Sequence, residues 1–274
     1  MAFRVEFHAK TDVGTQRTRN EDSYLIAGDY ALNVVADGMG GHLGGDIASN
    51  LATATIKQHF HDGFEKANRR SSRRRDSDFL RKAIAAANVA VFDKGNANED
   101  LRDMGTTIVA AWFRHNYVVA GSVGDSRIYR LRGDVFSQVT IDHSWVGELR
   151  RRRLISEEEA AHHPLKNIIT RALGMDRKVN VDIFLEDLQD GDVYILCTDG
   201  LTDFVDDSRI ADIMKRHRED FQTACDKLIE LANFMAGADN ITVGLCRVVE
   251  VAGDGTNGAH VVDDDDPDDD DSDS

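Results

Sequence analysis

The chain is poor in proline and cysteine, and each shortage narrows what it can be. Two prolines in 274 residues leave no proline-rich linker, so the alternating apolar segments are expected to form one domain. Three cysteines, Cys197, Cys225 and Cys246, stand far apart in apolar surroundings. An odd number without a close pair fits neither a disulfide framework nor a zinc site and leaves buried, reduced thiols. No run approaches the eighteen or so apolar residues that suggest a membrane-crossing helix. The start, with Arg4, Glu6 and Lys10, lacks the apolar core of a signal peptide. The expectation is a cytoplasmic, unexported protein with no membrane partner.

Positive charge is also scarce. Besides the run Arg150 to Arg153, its dense block is Asn68-Arg69-Arg70-Ser71-Ser72-Arg73-Arg74-Arg75, with no aromatic residue interleaved, so it is not read as a nucleic-acid surface. It reads as a polar loop between two helices, either a solvated connection or a dock for an acidic or phosphorylated partner. The formal net charge is −16, but residues 263 to 274 carry nine aspartates, so removing those nine leaves −7 for everything before them. That tail, 253–274, has no apolar surface with which to fold and is expected to be disordered. The remainder is apolar enough (41% of the whole chain) to bury a substantial core.

What is present in quantity is glycine beside aspartate. In Asn33-Val34-Val35-Ala36-Asp37-Gly38-Met39-Gly40-Gly41-His42-Leu43-Gly44-Gly45-Asp46 an apolar run ends in a carboxylate and then in glycines. This predicts a buried strand entering a tight turn where Asp37 offers its side chain and Gly38 its carbonyl. The pattern recurs at Gly124-Asp125-Ser126, Thr198-Asp199-Gly200 and Gly237-Ala238-Asp239-Asn240. Alternation predicts strands over 3–8, 24–26, 31–36 and 179–185, and apolar runs predict 193–198 and 241–251. Residues 105–113, 117–124 and 127–131 read as three strands of an antiparallel meander. Helical spacing appears after Asp46, from about Asp76, from about Asp207 and through Phe221–Met235. Residues 142–174 read as an insertion over one edge, in which Asp142 and His143 are read as structural rather than as an acid/base pair.

If the junction acids Asp37, Asp125, Asp199 and Asp239 converge with Glu21 and Asp22, about six carboxylates share one rim, and their repulsion requires cations. All-oxygen donors favour hard ions, Mg²⁺ or Mn²⁺. Two such ions could lower the pKa of a bridging water for in-line attack on a phosphoryl group, with the planar fork of Arg17 on the phosphate oxygens.

Seven segments in order, Arg17 with Asn20-Glu21-Asp22, Asp37 to His42, Met104-Gly105-Thr106-Thr107, Val123 to Arg127, Thr170 to Gly174, Thr198 to Leu201 and Asp239 to Thr242, resemble the motif set of the bacterial type 2C, or PPM, metal-dependent protein phosphatases. The resemblance covers about residues 5–250. It implies an α+β fold, a four-layer αββα sandwich of two mostly antiparallel sheets with helices on both outer faces. It also implies a catalytic domain over 1–252 with a flap at about 142–174. Asp37, Asp199 and Asp239 would bind one metal, and Glu21, Asp37 and the Gly38 carbonyl a second. Asp125 with Asp199 would hold a weaker third ion, Asp22 would orient the attacking water, and Arg17 would bind phosphate. Met39 stands where eukaryotic members carry a histidine proposed as general acid, and His42 is not assigned that role. The implied activity is dephosphorylation of phosphoserine and phosphothreonine in proteins, opposing bacterial Ser/Thr kinases, by a monomer. The alternatives are a catalytically weak phosphatase-fold scaffold or regulator, and a hydrolase of small phosphate esters.

Overall fold

A strand covered on both faces is apolar throughout, and Ile108–Phe113 and Tyr117–Val123 are buried at every residue. The computed structural model describes residues 2–40, 44–156, 159, 163–165 and 168–251; His42 and the acidic stretch 253–274 lie outside these. Eleven strands form two antiparallel sheets. One contains β1 (Ala2–Asp12), β11 (Ile241–Val251), β10 (Val193–Cys197), β7 (Arg127–Arg132) and β8 (Val135–Gln138), in that order. The other runs β2 (Asp22–Ala27), β3 (Leu32–Met39), β5 (Ile108–Phe113), β6 (Tyr117–Val123) and β9 (Asp182–Asp187), with the short β4 (Gly105–Thr106) also paired to β3.

Alternation sorts the layers. Val35, Val109, Ala111, Val118 and Ala120 of the second sheet meet Ile128, Tyr194, Leu196, Cys246 and Val248 of the first. Their neighbours Val34, Ala36, Ala110, Trp112 and Val119 face outward onto two long helices, α1 (Gly44–Arg69) and α2 (Arg73–Ala97). Ala48, Ala52, Ile56 and Phe60 recur every four residues along α1, which places them on one stripe. Phe60 meets Trp112 edge to face at 5.1 Å. On the far side, α5 (Asp207–Arg216) and α6 (Phe221–Met235) cover the first sheet through Ile210, Met214, Cys225, Leu228 and Ile229. Two short helices, α3 (Trp145–Arg151) and α4 (Asp199–Thr202), and two 3-10 turns, Gly28–Tyr30 and Glu99–Leu101, complete the described elements. Helix, sheet, sheet, helix is the expected four-layer sandwich.

Three expectations need correction. The stretch 105–131 is not a meander within one sheet: β5 and β6 pair, but β7 pairs with β10 of the opposite sheet. The turn Gly124-Asp125-Ser126 therefore crosses between sheets, which lifts Asp125 to the shared rim. The basic block is not a loop, because α1 continues to Arg69 and α2 begins at Arg73, where the Ser72 hydroxyl caps it by accepting from the Arg75 amide at 3.3 Å. Arginine is a good helix former, so only residues 70–72 turn. Finally, β8 escaped the periodicity reading because its four residues are exposed or half-buried at one sheet edge.

Cys197, Cys225 and Cys246 are free and buried, and no described helix is long and apolar enough to cross a membrane. At the α1–α2 corner the fully buried Asp76 carboxylate accepts from Arg114 Nε at 2.8 Å, Tyr117 Oη at 2.6 Å and Ser71 Oγ at 2.7 Å. Asp76→Ala strands a buried guanidinium and is expected to destabilise the fold by about 3–5 kcal/mol, read from the urea midpoint. An apolar replacement of both partners, Asp76→Leu with Arg114→Met, is expected to recover most of that loss.

Candidate metal centre

Register brings the acids together. Asp22 pairs with Asp37 across β2 and β3, Asp12 with Ile241 across β1 and β11, and Cys197 with both Val243 and Arg127. The strand ends carrying Glu21, Asp37, Asp125, Asp199 and Asp239 thus come level at one end of the sandwich. Close backbone contacts lock them there. A methyl at Gly38 would lie 2.0 Å from the Gly45 carbonyl, and one at Gly200 would lie 1.9 Å from the Asn240 carbonyl. No residue but glycine lets these segments approach so closely.

A cleft of about 750 Å³ opens at this rim, lined by Arg17, Thr18, Arg19, Glu21, Asp37, Gly38, Met39, Thr107, Ile169, Asp199 and Asp239. Asp22 and Asp125 are not among its lining residues and are buried. Asp22 Oδ2 accepts from Thr242 Oγ1 at 2.7 Å and Thr198 Oγ1 at 3.0 Å. The Arg17 guanidinium, about half exposed, donates to Asp239 Oδ2 at 2.9 Å and to the Ala238 carbonyl at 3.3 Å.

Several holding residues carried no assigned role in the sequence reading. Thr106 and Thr107 grip the backbone of Asp37: its carbonyl accepts from Thr107 N and Thr106 Oγ1, both at 2.8 Å, and its amide donates to Thr107 Oγ1 at 3.0 Å. Asn240 uses its whole amide, accepting from Glu21 N at 2.8 Å and donating to the carbonyls of Val13 at 2.9 Å and Arg19 at 2.8 Å. It pins the polar loop that carries Arg17 and Glu21. Asp46, read only as a helix start, also faces this region; its nearness helps push the Glu21 carboxyl up, although burial is the larger cause.

Asp142 and His143 lie outside the cleft lining. Asp142 takes a forked pair from Arg127, at 3.0 and 2.7 Å. His143 N donates to the Gly124 carbonyl at 2.8 Å, and Gly124 N donates back to His143 Nδ1 at 3.0 Å. Burial pushes the imidazole pKa down. With Nδ1 accepting, the ring proton of the neutral form sits on Nε2 and points at Asp182 Oδ2, 3.0 Å away. The opposite oxygen of Asp182 accepts from Arg171 at 3.0 Å. Gly124, at φ +108°, is thereby held immediately before Asp125.

Whether the rim suits cations can be judged from its own atoms. Asp22 Oδ1, Asp46 Oδ1, Asp125 Oδ1 and Asp199 Oδ1 are buried and lack a hydrogen-bond partner. Leaving such oxygens bare is costly, and hard divalent ions are the ligands that satisfy oxygen-only sets. Burial first, and neighbouring carboxylates after it, push Asp37 and Asp125 well above the usual carboxylate range. Burial likewise lifts Asp22 to about 7 and Asp199 to about 6. The nearness of the Asp199 carboxyl adds to the rise at Asp37. Among the described residues no three acidic, histidine or cysteine side chains are closed around one point, because some of the acids are engaged with each other and with Arg17. The donor set fits hard cations in an open arrangement.

The chain matches the model of the family described as Protein phosphatase 2C over residues 14–233, and it belongs to that family. It is 40% identical over 237 residues to the serine/threonine phosphatase stp of Listeria innocua, covering 85% of this chain and 92% of that one. The crystal structure of the Mycobacterium tuberculosis serine/threonine phosphatase PstP superposes with a TM-score of 0.81 at 33% identity, covering 90% of this chain and 99% of that one. The catalytic domain of PstP solved with two manganese ions gives 0.77 at 32% identity, covering 90% and 100%.

Two outcomes follow from the geometry. Carboxylates whose folded pKa is raised bind protons more tightly folded than unfolded. Their contribution is therefore favourable at low pH and is lost as pH rises from about 4 through 7. Chelated protein is expected to show a falling Tm between pH 5 and 7.5, and saturating Mg²⁺ to remove that fall, as read by scanning calorimetry. The second concerns His143. His143→Asn, whose amide oxygen replaces Nδ1, is expected to keep the latch on Gly124. His143→Gln, which restores only the Nε2 position, is expected to weaken Mn²⁺ activation by about 10–100-fold in a metal titration.

Proposed function

We propose that the chain hydrolyses phosphoserine and phosphothreonine in proteins, with Glu21, Asp37, Gly38, Asp199 and Asp239 holding two Mn²⁺ or Mg²⁺ ions and Asp125 with Asp199 holding a weaker third. The observation that carries this reading is the set of buried, unpartnered carboxylate oxygens gathered beside an arginine at one open cleft. The Gly38 carbonyl faces the start of α1, where a methyl on Gly45 would come within 2.8 Å of it.

When bound, such ions would supply Lewis acidity and make a water nucleophilic near neutral pH. The protein's own groups do the rest. Asp22, with one oxygen fixed by Thr198 and Thr242, turns its free Oδ1 to orient the attacking water and receive its hydrogen bond. Arg17, here paired with Asp239, would bind the non-bridging phosphate oxygens, its planar fork matching the phosphate. Met39 carries no proton to give, so the departing hydroxyl is protonated by water of the open cleft. The cleft is open and carries an arginine at its lining, which suits a phosphorylated segment of a protein. We place the protein as a monomer in the cytoplasm, opposing a Ser/Thr kinase pathway, with residues 1–252 as its catalytic domain and 142–174 as a flap. The buried, reduced thiols suit that compartment.

Turnover of a phosphothreonine peptide is expected to vanish in excess chelator and to return with Mn²⁺ or Mg²⁺. Asp37→Asn is expected to lower kcat by at least about a hundredfold, the equivalent of roughly 3 kcal/mol. Arg17→Lys is expected to raise KM more than it lowers kcat, because a point charge replaces a fork. Undiminished turnover in chelator, or faster turnover of sugar phosphates than of phosphopeptides, would overturn the assignment.

A further inference from the structure

Two charged segments take no part in the chemistry, and Val251, the last described residue before the second, lies at the same end of the molecule as the first. The first is the α1–α2 corner. Between Glu65 and Asp76 the sequence carries Lys66, Arg69, Arg70, Arg73, Arg74 and Arg75 and no acid. All five arginines are exposed. Arg73 is engaged, paired with Asp187 and lying over the Tyr117 ring. Among the described residues, the side chains of Arg69, Arg70, Arg74 and Arg75 carry no ion pair. Four cationic heads on two adjoining helix ends repel one another and invite a polyanion.

The second is the aspartate run in residues 263–274. Strand β11 leaves the acidic rim at Ile241 and ends ten residues later at Val251, about 33 Å away. Helix α1 also starts at the rim, where Gly45 abuts Gly38, and its 26 residues carry it about 39 Å in the same sense. A chain of contacts joins the two far ends. Arg114 bonds Asn68 and Asp76 at the corner, the Asn116 carbonyl accepts from Leu188, and Asp190 accepts from the Glu250 amide. Val251 therefore lies a few contacts from the arginines and a full sandwich length from the cleft.

We infer that the aspartate run of residues 263–274 docks on the arginine corner formed by Arg69, Arg70, Arg74 and Arg75 of the same chain. The eleven residues 252–262 span up to about 36 Å when extended, enough to reach it. A short tether also gives an effective concentration in the millimolar range, so individually weak pairs suffice. The docked segment neutralises the corner and keeps it from other polyanions, and it leaves the catalytic cleft open at the opposite end. Because the contact is superficial, it depends strongly on ionic strength.

The test uses the full chain with a nitroxide on Ser272→Cys, since the three native cysteines are buried, and Mg²⁺ rather than paramagnetic Mn²⁺. At low salt the label is expected to broaden the backbone amides of residues 69–75. The broadening should disappear in 0.5 M NaCl and in the Arg69→Gln, Arg70→Gln, Arg74→Gln, Arg75→Gln variant, whose peptide turnover and Tm should match the parent. No broadening at the corner, broadening instead at Arg17–Arg19, broadening that persists in the four-fold variant, or broadening that grows with protein concentration would each overturn the inference. The last would place the segment on a second copy.

Discussion

Repulsion among buried carboxylates is the constraint on which the structure turns. The fold brings Asp22, Asp37, Asp125 and Asp199 to one rim, removes much of their water and leaves an oxygen of three of them bare. In the absence of cations, burial and mutual repulsion push all four toward the protonated form. A rim built this way is a store of unfavourable electrostatics that hard divalent ions relieve. Binding metal and stabilising this end of the sandwich are then one event, and the stability withheld from the metal-free fold becomes affinity for the ions.

Such an arrangement persists only if the surrounding chain holds it in place. Gly38 and Gly200 allow segments of different elements to meet backbone to backbone, and Asn240, Thr106, Thr107, Thr198 and Thr242 supply the hydrogen bonds that fix them. Each grips either an acid or the backbone that carries it, so their loss acts on the ions at one remove. His143 extends the same support to Asp125 and ties it through Asp182 to Arg171, at the base of the segment beside the cleft. Bare oxygens of several carboxylates gathered at one place distinguish this rim from the Asp76 site, where a lone carboxylate has Oδ2 held by Arg114, Tyr117 and Ser71 and only its Oδ1 unpartnered.

Much of this was legible in the sequence because the informative residues recur: an acid beside glycine or asparagine at each strand junction, flanked by apolar runs. The elements, the four layers and the family followed from those segments taken in order. Three things were not legible. That β7 leaves the sheet of β6 depends on pairing partners distant in sequence, which local periodicity does not encode. That 68–75 is mostly helix was hidden by its charge, although arginine favours helices and Ser72 signalled a cap. The roles of Asn240 and His143 were invisible because each acts on backbone groups brought near only by folding. Asn33, buried between the sheets with its Nδ2 3.3 Å from Cys246 Sγ, is a polar core residue that no pattern announced.

The central claim is that the junction acids form one centre for two hard ions, and anomalous scattering from crystals grown with Mn²⁺ tests it most directly. The account predicts two strong manganese peaks at the cleft, one within bonding distance of Asp37, Asp199 and Asp239, the other of Glu21, Asp37 and the Gly38 carbonyl. Peaks confined to other faces of the sandwich, or no peak at the cleft in saturating Mn²⁺, would contradict it.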